Sequence, residues 1–250
     1  MKDGACSSEV GRDALGAGGG PVRRGGRGVA GVDLKELHAG RQGDLVCGRA
    51  LKADLWLAKD HAGRLVVVKD FRRKPWPGRW WGWVQVRRER AFLRLLEDLD
   101  FVPRLLGTPH PLVLVLEYVP GILPCRRGPG PWSRPTLQQL RENLERLHQR
   151  GVTHNDLRGR DNLLFDTEGR RLVLLDWAAA VRLPPATLRH RLLFGLLRQV
   201  DRSAFLKWKL ELGPRTLSDE DRRFLRAYRR WRRLWPFNRK GLGDTTLEGL

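Results

Sequence analysis

Two short stretches hold the residues best placed to do chemistry. The first is His154-Asn155-Asp156-Leu157-Arg158-Gly159-Arg160-Asp161-Asn162-Leu163-Leu164-Phe165, and the second is Leu174-Leu175-Asp176-Trp177-Ala178. Asp156 falls in a loop after a helical pattern, where a carboxylate can accept a proton from a hydroxyl. Asp176 leaves a buried hydrophobic run. Together with an amide from the loop it forms an oxygen pair suited to holding a hard cation against phosphates. The chemistry these types and spacings suit is phosphoryl transfer to a hydroxyl. Each piece alone is weak, since a loop aspartate is as readily a turn or N-cap residue.

Asp54 to Lys59 and Leu65 to Phe71 flank a hairpin loop at His61-Ala62-Gly63-Arg64. The second strand carries Lys69, which alternation places on the same face as Val67 and Phe71. A helix is predicted over about Val84 to Leu99. Glu89 lies three, four and seven residues before Phe92, Leu93 and Leu96, so its carboxylate points along the apolar face. A buried carboxylate without a partner costs of order 1–3 kcal/mol even for one missing hydrogen bond, and an ion pair with Lys69 would remove that cost. Leu112 to Tyr118 reads as a short buried strand. A Pro/Gly/Arg connector follows over 124–135. A helix over about Thr136 to Arg150 has Leu137, Leu140, Leu144 and Leu147 as its stripe and Gly151 as its stop. Leu163 to Phe165 and Leu172 to Leu175 form two strands around a turn at Thr167-Glu168-Gly169. The chain from about Ala186 onward reads as helical.

The pattern H-x-D-L, N-L-L, L-L-D-x-A, preceded by Val66-Val67-Val68-Lys69 and Glu89, resembles the protein-kinase superfamily. The resemblance covers about residues 45–240. It implies an α+β, two-lobed fold: residues 32–122 as a small lobe of antiparallel sheet plus helix with the hinge, and 123–250 as a mostly helical lobe ending in basic helices. It implies ATP and Mg2+ as cofactors. Asp156 would be the catalytic base, and Lys69 with Glu89 the lysine–glutamate pair. Gly48 is the remnant of a glycine loop, Glu117 and Val119 belong to the hinge facing adenine, and Arg158 stands where a phosphate-neutralising lysine is common. Asp176 would bind metal together with Asn162, one position later than usual, or with Asp161 in its place.

The departures point to a compact atypical branch. Asn155 replaces an arginine that binds an activation-loop phosphate, Leu183-Pro184-Pro185 follows Asp176 closely, and the glycine loop is nearly absent. The chain is most similar to lipopolysaccharide core kinases and RIO-like serine/threonine kinases of bacterial type. That resemblance implies a hydroxyl acceptor on protein Ser/Thr or on a lipopolysaccharide core sugar. Two other readings stand beside it: a pseudokinase acting as a binding module, and a basic nucleic-acid-binding protein.

Composition bounds the rest. The 250 residues carry a formal charge of +20, which selects polyanionic partners without naming one. Three scattered cysteines suggest neither a disulfide framework nor a zinc site. With no apolar leader and no long apolar run, a cytoplasmic protein is expected, peripheral at most to the inner face of a membrane. Residues 1–31 read as a disordered Gly/Arg-rich tail. Trp76, Trp80, Trp81 and Trp83 stand among basic residues, a composition that suits an anionic lipid interface or packing onto the domain. Phe224, Tyr228, Trp231 and Trp235 share one face of the last helix.

Overall fold

The computed structural model describes residues 32–124, 134–183, 193–212 and 217–233. The expected tail over 1–31, most of the 124–135 connector, residues 184–192 and the side chains of Trp231 and Trp235 lie outside them. The chain divides into two compact units. One comprises Met1–Trp83 with Leu106–Glu117, and the other Val84–Leu105 with Tyr118–Leu250.

The first unit is built on a five-stranded antiparallel sheet. Its strands are β1 (Arg41–Val46), β2 (Asp54–Lys59), β3 (Leu65–Asp70), β4 (Leu105–His110) and β5 (Val113–Glu117), in the order β1-β2-β3-β5-β4. The β2–β3 hairpin pairs Leu55 with Lys69 and Trp56 with Val68, and β3 pairs Val68 with Val115 and Lys69 with Leu114. Period-two alternation then sorts the faces. Trp56, Ala58, Val66, Val68 and Val115 form one buried cluster with Leu37 of the short helix α1 (Leu34–Ala39). Lys69 lies on the opposite face with Val67, Leu55 and Leu114. Asp33 caps α1 through the Lys35 N–H at 3.0 Å.

Helix α2 runs Trp76–Leu95, eight residues earlier at its start than the predicted Val84. Pro75, Pro77, Gly78 and Gly82 look like breakers, yet each suits its place. The Pro75 carbonyl accepts the first helical bond, from the Arg79 N–H at 3.0 Å. Pro77 sits in the first turn, where a missing N–H costs nothing. A Cβ on Gly78 would fall 2.2 Å from the Ala50 oxygen, and one on Gly82 would fall 2.4 Å from the Phe71 ring. The glycines therefore mark close approach to the sheet and the β1–β2 turn.

The second unit is mostly helical. Helix α3 (Arg134–Gln149) buries Leu137, Leu140, Leu144 and Leu147, as its stripe predicts. Strand β6 (Gly121–Ile122) pairs with β8 (Leu163–Asp166), which pairs with β9 (Arg171–Leu174); β7 (Val152–Thr153) pairs with β10 (Val181–Arg182). The β8–β9 turn is fastened by buried Asp166, whose carboxylate accepts from the Glu168 and Gly169 N–H groups at 3.1 and 2.9 Å and from Arg171 Nε at 2.9 Å. Helices α4 (Gly195–Leu212) and α5 (Asp219–Arg233) complete the unit. The Phe224 and Tyr228 rings of α5 stack at 5.8 Å. No helix among the described residues is long and apolar enough to cross a membrane.

Candidate active site

The loop from His154 to Asn162 is held from beneath by one face of α4. Asp201, fully buried, accepts from the backbone N–H of His154 at 3.0 Å and of Asn155 at 2.8 Å, and from His148 Nε2 of α3 at 3.0 Å. Ser203 receives Arg158 Nη1 at 3.3 Å on both its carbonyl and its hydroxyl. The ammonium of Lys207 donates to the Arg158 carbonyl at 2.6 Å, and Trp208 Nε1 to the Leu157 carbonyl at 2.7 Å. Glu211 pairs with Arg160 at 2.6 Å. Asp201, Trp208 and Glu211 recur at helical spacing with Ser203 and Lys207 on their flank, so one side of the helix satisfies backbone groups that a buried loop would otherwise orphan. Sequence reasoning missed this set. The available signal was a single aspartate one heptad before a tryptophan in a helix rich in leucine and basic residues.

Above this platform Asp156 is exposed and Asn162 is buried. Asn162 Nδ2 donates to the Asp156 carbonyl at 2.6 Å and to its carboxylate at 3.1 Å, closing the loop on itself. Asn155 takes a left-handed φ of 65°, a region asparagine tolerates better than most residues. Its Nδ2 donates to Thr153 Oγ1 at 3.0 Å. Asp161 is exposed within the 3₁₀ turn Arg160–Asn162.

The β8–β9 pairing brings the second carboxylate to this loop. Leu163 opposes Leu174, and the Leu175 N–H donates to the Asn162 carbonyl at 3.0 Å. Asp176 thus leaves the end of β9 beside the start of β8, with a φ of 59° and ψ of 77°. Such a conformation costs a non-glycine residue of order 1–3 kcal/mol and persists where surroundings over-determine it. Trp177 supplies part of that restraint: it is fully buried, and its Nε1 donates to the Leu174 carbonyl at 3.1 Å.

His154 lies 4.6 Å from the Trp177 ring, and its Nε2–H donates to the Leu175 carbonyl at 3.1 Å. Its buried Nδ1 has no partner in the structure. Burial pushes this imidazole below its ordinary range, against the opposing pull of Asp201, Asp156 and Asp176. It is a neutral tie between loop and strand.

In the first unit Lys69 is buried at 8% exposure on β3. The β1–β2 turn that carries Gly48 is clasped. Asp54 Oδ1 accepts from the Gly48 N–H at 2.9 Å and from Lys74 Nζ at 2.6 Å, and Lys74 Nζ also donates to the Gly48 carbonyl at 2.6 Å. A Cβ at Gly48 would fall 2.1 Å from the Ala53 oxygen. Neither Asp54 nor Lys74 stood out in the sequence. Glu117 closes β5, and the buried Val119 follows it in the second unit. Glu89, in the second unit, is 1% exposed on α2.

Asp156, Asn162 and Asp176 are therefore gathered by local structure, while Lys69, Gly48 and Glu117 belong to the other unit. The Asn162 and Asp176 side chains could supply an amide oxygen and a carboxylate, hard donors of the kind Mg2+ takes. Two protein ligands suit a metal that keeps waters and phosphate oxygens for its remaining positions. Among the described residues no cluster of three or more His, Cys, Asp or Glu forms a closed metal cage.

No family model matches the chain. It is 32% identical over 93 residues to the serine/threonine-protein kinase RIM15 of Saccharomyces cerevisiae, a match covering 34% of this chain and 5% of that kinase. It is 36% identical over 92 residues to the CBL-interacting serine/threonine-protein kinase 21 of Arabidopsis thaliana, covering 34% of this chain and 22% of that one. The matched stretches are thus a minor part of either relative. Among solved structures, the Rio2 kinase from Chaetomium thermophilum shares the fold at a TM-score of 0.51 and 16% identity, over 74% of this chain and 63% of that one. The chain thus shares the fold of this kinase and, over about a third of its length, local sequence similarity with protein kinases.

Proposed function

We propose that the protein is an ATP- and Mg2+-dependent phosphotransferase that moves a γ-phosphoryl group to a hydroxyl. The observation that carries the reading is the convergence of Asp156, Asn162 and Asp176 through the Leu175–Asn162 backbone bond and the Asn162–Asp156 side-chain bond. In this reading Asp156 accepts the acceptor hydroxyl proton as the new O–P bond forms and the bond to the leaving diphosphate breaks. Asp176 and Asn162 hold Mg2+, which would offset phosphate charge. Burial of Asn162 at the foot of β8, against exposure of Asp161, favours Asn162 as the ligand. We assign Lys69 to the phosphates, Glu89 to the support of Lys69, and Glu117 and Val119 to the adenine. Arg158 has its guanidinium turned to Ser203, which favours loop anchoring over phosphate contact.

The acceptor is a protein Ser/Thr hydroxyl or a lipopolysaccharide core sugar, reached from the cytoplasm where ATP is. A second reading, a pseudokinase binding module, draws on one observation: the Gly48 N–H is already committed to Asp54. Incubation of the wild type and D156A with γ-labelled ATP, Mg2+ and either lysate protein or envelope glycolipid separates the two. Label transfer by the wild type, lowered about 10²–10⁴-fold in D156A, supports the enzyme. ATP binding without turnover in either chain makes it a pseudokinase, and equal turnover in both removes Asp156 as the base. A double-mutant cycle of K69A with E89A reads whether these two act as one unit.

A further inference from the structure

We propose that the exposed tryptophan face at the start of α2 is a surface that seats the protein on an anionic lipid bilayer. The proposal is independent of the phosphotransfer reading. Trp76, Trp80, Trp81 and Trp83 are 78%, 58%, 44% and 43% exposed, whereas Gly78 and Gly82 on the same helix face inward, against Ala50 and Phe71. Trp76, Trp80 and Trp83 follow i, i+4, i+7 spacing and form one stripe along the axis. Large aromatic side chains in that number are rarely left in water on a monomer, and contiguous exposed apolar patches mark interaction sites.

The chemistry of the stripe selects the occupant. Indole combines an apolar body with a polar N–H and prefers the headgroup boundary of a bilayer. A stripe parallel to a helix axis lets three rings sit at one depth when the helix lies in the interface plane. The surrounding charge is of one sign. From Phe71 to Arg88 the chain has six basic residues, Arg72, Arg73, Lys74, Arg79, Arg87 and Arg88, and no acidic one. Arg72 and Lys74 are spent on Asp70 and Asp54. Arg73 and Arg79 are exposed and flank the tryptophans in the chain. Anionic headgroups complement them. A second copy of this face would set Arg73 and Arg79 against their own kind, which disfavours a symmetric dimer.

The test uses the full chain with vesicles of phosphatidylcholine alone or with about a third phosphatidylglycerol, read by sedimentation and tryptophan emission. Binding to the anionic vesicles at low salt, with a blue shift and quenching by brominated acyl chains, is expected. W80S/W83S should lower the partition coefficient about 10-fold or more. R73E/R79E should lower it at least 10-fold, since each basic residue near such a surface contributes roughly 5-fold. Quenching by brominated lipid is read on the wild type, so the proposal stays testable if a variant misfolds. A wild type that remains in the supernatant overturns the proposal, as does equal binding to neutral vesicles or binding unchanged in W80S/W83S. Self-association lost in the same variants, or oligonucleotide quenching of these tryptophans without vesicle binding, assigns the face to another occupant and likewise overturns it.

Discussion

At the residue scale, His154 shows how a group can belong to a catalytic-looking motif and yet serve the fold. Its ring bonds the Leu175 carbonyl and packs on Trp177, and burial holds it neutral. The folded chain then binds fewer protons than the unfolded chain once pH falls below the ordinary value of 6.5. The contribution is whole above that pH and is lost as pH drops beneath it. His38 acts in the same direction, lowered by burial and by Arg72 at 2.8 Å. The carboxylates lowered by arginine and lysine partners, Asp60, Asp70, Asp98 and Asp221, lose their share only near or below their ordinary 3.8. Denaturant unfolding should therefore show stability declining as pH falls below the ordinary histidine value of 6.5. H154Q keeps a donor for Leu175 and should flatten that decline. An unchanged slope in H154Q would mean that the histidine charges freely in the fold.

At the element scale, strands and helices whose apolar spacing is strong were readable, while those defined by contact were not. The β2–β3 hairpin, α3 and the β8–β9 hairpin lie where alternation and the leucine stripe put them. Asp156, Asn162 and Asp176 stand out by residue type and order, which need no geometry, and the β8–β9 pairing and the Asn162–Asp156 bond set them near one another. Three things were hidden. The first turns of α2 look like a loop until Gly78 and Gly82 are seen against their neighbours. Strands β4, β6, β7 and β10 are short or lack alternation, and pairing with distant partners defines them. The α4 platform and the Gly48 clasp are built from side-chain to backbone bonds, which leave almost no trace in a pattern. The clasp carries a prediction. Lys74 is nearly buried and ties both Asp54 and the Gly48 carbonyl, a restraint that replaces the glycine-rich composition this turn lacks. K74M keeps the apolar stem and removes the ammonium, and should cost about 1–3 kcal/mol in urea unfolding. It should also raise the KM for ATP with little change in kcat, because it loosens a turn without touching the acceptor side. A fall in stability with KM unmoved would make the clasp structural only.

At the scale of the whole molecule, a charge of +20 by itself would suit RNA, acidic lipid or nucleotide equally. Mass action separates them. A ligand that binds only the folded chain adds about 2.7 kcal/mol of stability at a hundred times its Kd. For a chain of this size that corresponds to a rise in Tm of roughly 5–10 °C. On the proposed function, Mg2+ with ATP should give such a rise, and ATP with a chelator should give distinctly less, because the phosphates then lack the ion that Asp176 and Asn162 would hold. D176N should erase most of the difference between the two conditions while keeping the residual effect of ATP. N162A should do the same more strongly than D161A, since Asn162 is fixed at the foot of β8 and Asp161 faces solvent. A nucleic-acid-binding protein of this charge behaves otherwise. It would be stabilised by oligonucleotide with a steep dependence on salt and would be indifferent to whether ATP carries Mg2+. Differential scanning fluorimetry with these ligands at two salt concentrations reads both patterns in one experiment. A Tm that responds to RNA and not to Mg2+-ATP would leave the kinase-like fold in service of a different polyanion.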